Sequence, residues 1–155
     1  DALPISSYAP LLAKERHTQW NPDLIYFNNR EVKPTTGYYV QKLYGQNAGN
    51  EYLPSKIVLD NKDDKVRKRF ASSIVRDSVS GDVIVKLVNL LPVEVNTNVD
   101  LSGIGAVQPS AKRTVLTGKP TDTPLPVEDR IQIAEKFDCN LPAYSFTVIR
   151  IQKAN

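Results

Sequence analysis

The chain has 155 residues, 41% of them hydrophobic and 24% charged, with a net charge of +3, which fits one domain, or one domain plus a short appendage, with a real core. Lys and Arg are spread along it, and the densest run, Lys62 to Arg69, is broken by Asp63 and Asp64, so the basic face that a nucleic-acid partner requires is missing. A single cysteine, Cys139, and a single histidine, His17, exclude an intramolecular disulfide, a cysteine-based metal site and a histidine cluster; no apolar stretch approaches a membrane span, and no motif asks for a cofactor.

The chain opens on Asp1-Ala2-Leu3-Pro4 without Met, as a mature or cut piece does, so localisation stays open. Residues 1–50 hold the one Trp, the one His and five of the seven Tyr. Within them Leu24-Ile25-Tyr26-Phe27 is an unbroken apolar run of β-prone residues, the pattern of a strand buried on both faces as in a parallel sheet. After Pro34, Thr35 or Thr36 suits a helix N-cap, and Tyr39, Val40, Leu43 and Tyr44 fall on one helical face. Asn47-Ala48-Gly49 supplies the stop, with Gly49 suited to a left-handed conformation. Strand, short loop and helix make a βα unit, which cannot close a sheet alone.

From Glu51 onward the period changes to two. Val83, Val85 and Leu87 alternate with Asp82, Ile84 and Lys86. Val93, Val95, Thr97, Val99 and Leu101 alternate with Glu94, Asn96, Asn98 and Asp100, a half-buried strand. Leu90-Leu91-Pro92 marks the bend between them, since Pro cannot donate to a ladder. Further strands are predicted at Ile57–Leu59, Lys68–Arg76, Lys112–Leu116, Arg130–Ala134 and Ser145–Ile151. Ser80-Gly81-Asp82 reads as a hairpin turn, and Gly118–Pro126, with three prolines, as the long loop. Short strands separated by turn signals predict an antiparallel sandwich. Asp60, Asp63 and Asp64 lack the Gly and closing Glu of a calcium loop and read as a solvated turn. Cys139, between Asp138 and Asn140, reads as an inert thiol.

Three stretches carry a resemblance. Ser7-Tyr8-Ala9-Pro10-Leu11-Leu12, then His17-Thr18-Gln19-Trp20-Asn21-Pro22-Asp23-Leu24-Ile25-Tyr26-Phe27, then Gly37-Tyr38-Tyr39-Val40-Gln41-Lys42-Leu43-Tyr44 closely resemble the α-L-arabinofuranosidases of glycoside hydrolase family 51. Leu141 to Ile151 looks like that family's closing strand. The resemblance implies a mainly β fold, an antiparallel, jelly-roll-like β-sandwich at residues 51–155, preceded at residues 1–50 by the last βα unit of a (β/α)8 catalytic barrel. It implies a retaining hydrolase acting on arabinose-containing polysaccharides, periplasmic or secreted. Retention needs two closely spaced carboxylates. In the family both are Glu on earlier barrel strands, and no position here matches either motif, so the chain is expected to be inactive alone.

The resemblance also implies where sugar is met. Trp20, at the C-terminal barrel face, would stack on a sugar ring; equally it reads as a structural aromatic packed beneath its loop. Asn21 would offer an amide to sugar hydroxyls, or Asn21-Pro22-Asp23 is turn chemistry alone. Asp23 reads as a loop cap or strand-start acceptor, His17 as a lone surface histidine, and Tyr38, Tyr39 and Tyr44 as packing residues of the helix. No residue is assigned to catalysis or to a metal. The expected partner is the rest of the barrel; without it the apolar 1–50 segment must pack on the sandwich or on a second copy of the chain. The competing reading is an independent carbohydrate-binding sandwich, which the aromatics after Glu51 disfavour. Tyr52, Phe70, Phe137, Tyr144 and Phe146 mostly alternate with polar residues and are expected to face inward.

Overall fold

The computed structural model describes residues 8–119 and 122–154. Its centre is a six-stranded antiparallel sheet in the order β4-β5-β6-β11-β8-β9. These strands are β4 (Glu51–Leu53), β5 (Phe70–Arg76), β6 (Val83–Asn89), β8 (Val107–Thr117), β9 (Val127–Gln132) and β11 (Ser145–Lys153). A two-stranded antiparallel sheet, β7 (Val95–Asp100) with β10 (Lys136–Leu141), covers one face. Helix α1 (Thr36–Gln46) covers the other.

This layering follows from side-chain alternation. On β6, Val83 and Val85 point to the core shared with Val99, Phe137, Cys139 and Leu141 of the smaller sheet, while Ile84 points to Leu43 of α1. On β11, Ile149 and Ile151 face the first core, and Phe146 and Val148 the second. The two central strands are therefore buried on both faces, which explains why β6 reads Val-Ile-Val rather than a clean alternation. Burying Leu43 against that sheet contributes about 2 kcal/mol. Asn89, fully buried at the end of β6, shares its two amide hydrogens among the carbonyls of Val93, Leu141 and Pro142 and accepts from Leu91 N. One side chain thus satisfies the bend that Pro92 imposes.

The N-terminal residues form a separate three-stranded sheet of β1 (Leu12–Lys14), β2 (Ile25–Phe27) and β3 (Val32–Pro34). β1 and β2 run parallel, Ala13 opposite Tyr26, while β3 is antiparallel to β2. The expected βα unit is thus corrected in one respect: a short antiparallel strand stands between β2 and α1. The core strand of this sheet is only half-buried at Ile25, Tyr26 and Phe27, though Leu24 is buried. The 1–50 segment does pack on the sandwich, through Tyr39, Val40 and Leu43 of α1.

Several boundaries differ from expectation. Thr35 is the N-cap residue of α1, but its hydroxyl makes no cap bond and donates instead to Leu24 O at 2.8 Å. Gly49, at φ +66°, lies two residues beyond the C-cap Asn47 and turns the chain into β4. A Cβ there would stand 2.6 Å from Val75 Cγ2, so no other residue fits. Ile57–Leu59 is not a strand; the edge strand is β4. Asp60 and Asn61 lead into a single helical turn, α2 (Asp64–Arg67), where Asp63 accepts from Lys65 N at 2.8 Å. Two aromatics are not inward: Tyr52 is 68% exposed and Tyr144 42%.

Candidate functional site

Trp20 and Asn21 sit in the loop that joins β1 to β2 across their parallel pairing. The loop is built by three side chains around one buried carboxylate. Thr18 Oγ1 accepts from Trp20 N at 3.1 Å, and its one proton is shared between Asp23 Oδ2 and Trp20 O, each 3.1 Å away. Asp23 N donates to Tyr26 Oη at 2.9 Å, and Tyr26 Oη donates to Asn21 Oδ1 at 2.8 Å. A hydroxyl two residues ahead of the turn and a tyrosine three residues beyond the aspartate thereby fix both ends of the Trp20-Asn21 step.

The consequence is an indole held outside the core. Trp20 is 66% exposed, so it does not pack beneath its own loop. Asn21 is exposed too, with its carbonyl oxygen engaged by Tyr26 and its amide hydrogens directed to no described residue. His17 is exposed and contributes only a backbone bond, to Lys14 O. Asp23 is 1% exposed; Oδ2 has Thr18, whereas Oδ1 is buried without a hydrogen-bond partner. An unmet carboxylate oxygen in the interior is costly, and this one belongs to the loop that carries Trp20. The strand-start role expected of Asp23 is thus accompanied by an open acceptor.

The neighbouring acidic residues are arranged for structure. Lys33 Nζ stands 2.8 Å from Glu15 Oε1 and 3.0 Å from Glu31 Oε1, and Asn28 Nδ2 donates to both carboxylates. The hydrogen bonds from Lys33 lead in holding both glutamates below the usual carboxylate range and in holding the lysine above its own. A general acid in glycoside hydrolysis needs the opposite displacement, so this pair cannot supply one near neutral pH. Cys139 is buried, and burial pushes its thiol up; it is not a nucleophile. Among the described residues no group of three His, Cys, Asp or Glu is placed to hold a metal ion. No described helix is long and apolar enough to cross a membrane.

Sequence reasoning identified Trp20, Asn21 and Asp23 but not Thr18 and Tyr26, which hold them. The Thr-x-Trp spacing carried that signal, since a hydroxyl two residues before an amide forms a local turn bond.

The model of the alpha-L-arabinofuranosidase C-terminal domain matches residues 1–147 of the chain. The chain belongs to that family. Several relatives are similar at the level of sequence. An extracellular exo-α-L-arabinofuranosidase of Streptomyces chartreusis is 50% identical over 56 residues, 36% of this chain and 7% of the relative. A probable α-L-arabinofuranosidase A of Aspergillus terreus is 31% identical over 160 residues, 96% of this chain and 24% of the relative. Among solved structures, an arabinose-bound GH51 α-L-arabinofuranosidase superposes with a TM-score of 0.82 at 31% identity, covering 96% of this chain and 24% of that one. The chain covers a quarter or less of the length of each of these three proteins.

Proposed function

We propose that the chain serves as the C-terminal part of a retaining α-L-arabinofuranosidase that removes arabinofuranosyl residues from arabinan- or arabinoxylan-type polymers. In this reading residues 1–50 are the last strand–helix unit of a catalytic (β/α)8 barrel and residues 51–155 an accessory sandwich. The family match over residues 1–147 carries the reading. The parallel pairing of β1 with β2 supports it, because parallel strands belong to sheets completed by further βα units.

The chemistry itself is assigned elsewhere in the parent enzyme. The acidic pair nearest the loop is locked to Lys33 and cannot protonate a leaving group. Trp20 is the residue we assign to the sugar, as a flat apolar surface for the CH face of a furanose ring, with the Asn21 amide for a hydroxyl. Their exposure at the open side of the parallel sheet supports that role. The partner is the remainder of the barrel, which would cover Leu11 and Leu12 beside the outer edge of β1, 57% and 58% exposed.

A second reading, an independent carbohydrate-binding module, draws on exposed Tyr52 and Tyr144. Affinity electrophoresis of the chain through arabinan separates the two. Unretarded migration, with no hydrolysis of an aryl α-L-arabinofuranoside, is the outcome expected of an accessory domain. Retardation that disappears in Tyr52→Ala or Tyr144→Ala would favour the module.

A further inference from the structure

We propose that Gly118, Lys119 and Asp122, beyond β8 in the sandwich, form a positioning clamp for the Trp20 loop, acting through the N-terminus of α1. The N-terminal N–H groups of a helix need acceptors, ordinarily from the N-cap side chain. In α1 that side chain, Thr35, is turned away from the helix and donates to Leu24 O at 2.8 Å. One of these N–H groups finds its acceptor in the sandwich: Thr36 N donates to Asp122 O at 3.1 Å. Thr36 Oγ1 donates to Lys119 O at 2.7 Å. The two carbonyls are themselves fixed, since Lys119 N donates to Asp122 Oδ2 at 2.7 Å and Asp122 N to Lys119 O at 3.0 Å. Gly118 closes the contact; a Cβ there would meet Thr36 Oγ1 at 3.2 Å and Pro124 Cγ at 3.1 Å.

The exchange of roles between Thr35 and Thr36 is what transmits position. The sandwich supplies an acceptor for the first helical N–H, that of Thr36, while Thr35 ties the helix start to Leu24: Thr35 N also donates to Leu24 O at 3.1 Å, and Thr35 is 1% exposed. Gly37 packs on the same strand, with Leu24 Cδ1 only 3.3 Å from where its Cβ would stand. Leu24 follows Asp23, whose amide and carboxylate hold Tyr26, Thr18 and through them Trp20 and Asn21. Contacts run without a break from Lys119 and Asp122 to the backbone of Trp20. Thr36, Lys119 and Asp122 are positioning residues: none touches the Trp20 loop directly. The meaning of this clamp for substrate rests on the proposed role of Trp20, whereas the clamp itself can be tested without any sugar.

The test is amide hydrogen exchange on the full 155-residue chain. Trp20 N is held by Thr18 of the loop and Asp23 N by Tyr26 of β2, so their exchange reports the loop's local opening. Thr36→Val removes the bond to Lys119 O and leaves the helix amide in place; the loss of one such bond, about 1 kcal/mol, corresponds to roughly fivefold faster exchange at both positions. Thr36→Ser should restore the native rate, and Asp122→Ala, which frees Lys119 N, should reproduce the acceleration if the valine variant does not fold. Val99→Ala, in the core on the far face of the sheet, should lower global stability without selectively speeding Trp20 and Asp23. Unchanged Trp20 and Asp23 exchange in folded Thr36→Val or Asp122→Ala overturns the proposal, as does equal acceleration in Val99→Ala. Should Trp20→Ala leave the kinetics of the assembled enzyme untouched while these exchange effects appear, the sugar role fails and the clamp stands.

Discussion

Lys86 is the residue whose burial is hardest to reconcile with its charge. It is 3% exposed on the helix-facing side of β6, its Nζ 5.5 Å from the centre of the Tyr44 ring, and no carboxylate pairs with it among the described residues. Tyr44 in turn stacks on Phe146 at 4.8 Å, so the ammonium meets aromatic and aliphatic surface. Cation–π attraction offsets part of the desolvation, and burial still lowers the amine from its ordinary value of 10.5. The sign for stability follows. Between the depressed folded value and 10.5 the unfolded chain binds more protons than the native one, so stability rises with pH across that window. Lys86→Met should therefore stabilise the chain by about 1 kcal/mol at neutral pH, measured by urea unfolding, and its advantage should shrink as the pH is raised. An advantage that is constant with pH would refute the charge as its cause.

At the scale of elements, α1 is the joint between the N-terminal sheet and the sandwich, and its stability is tertiary. The helix has no acidic residue in its first turn, no basic one in its last and no side-chain cap, so little intrinsic preference holds it. Leu43 carries the packing, against Ile84, Leu116, Phe146 and Val148. Leu43→Ala should cost about 3 kcal/mol and lower the helical circular dichroism signal together with the sandwich transition; separate transitions would show that the two halves fold independently. This helix was legible in the sequence because its apolar face and its flanking Pro34 and Gly49 agree. The long strands β5, β6, β7 and β11 were legible for the same reason. β10 was not, although Phe137, Cys139 and Leu141 alternate inward, because Asp138 and Asn140 between them are poor strand formers. β8 extends from Val107 through Pro109, where pairing with β11 shifts register. The proline sits at the irregularity that strands tolerate, and the pattern hid the strand's first half.

For the molecule as a whole, sequence periodicity yielded a sandwich but could not show how the sandwich serves the loop at the other end of the chain. Trp20 and Asn21 were visible as residues, yet the geometry that holds their loop depends on pairings at long range. Thr36 meets Lys119 across 83 positions, and that contact follows from tertiary packing alone. What the chain does with Trp20 is best measured in an assembled enzyme. The matching C-terminal quarter of the Aspergillus terreus relative can be replaced by this chain and the kcat/KM for an aryl α-L-arabinofuranoside compared with that of the same chimera carrying Trp20→Ala. Turnover is expected in the first and a fall of about tenfold in the second, the loss of one aromatic contact to the sugar. Equal kcat/KM in two folded, active chimeras would contradict it.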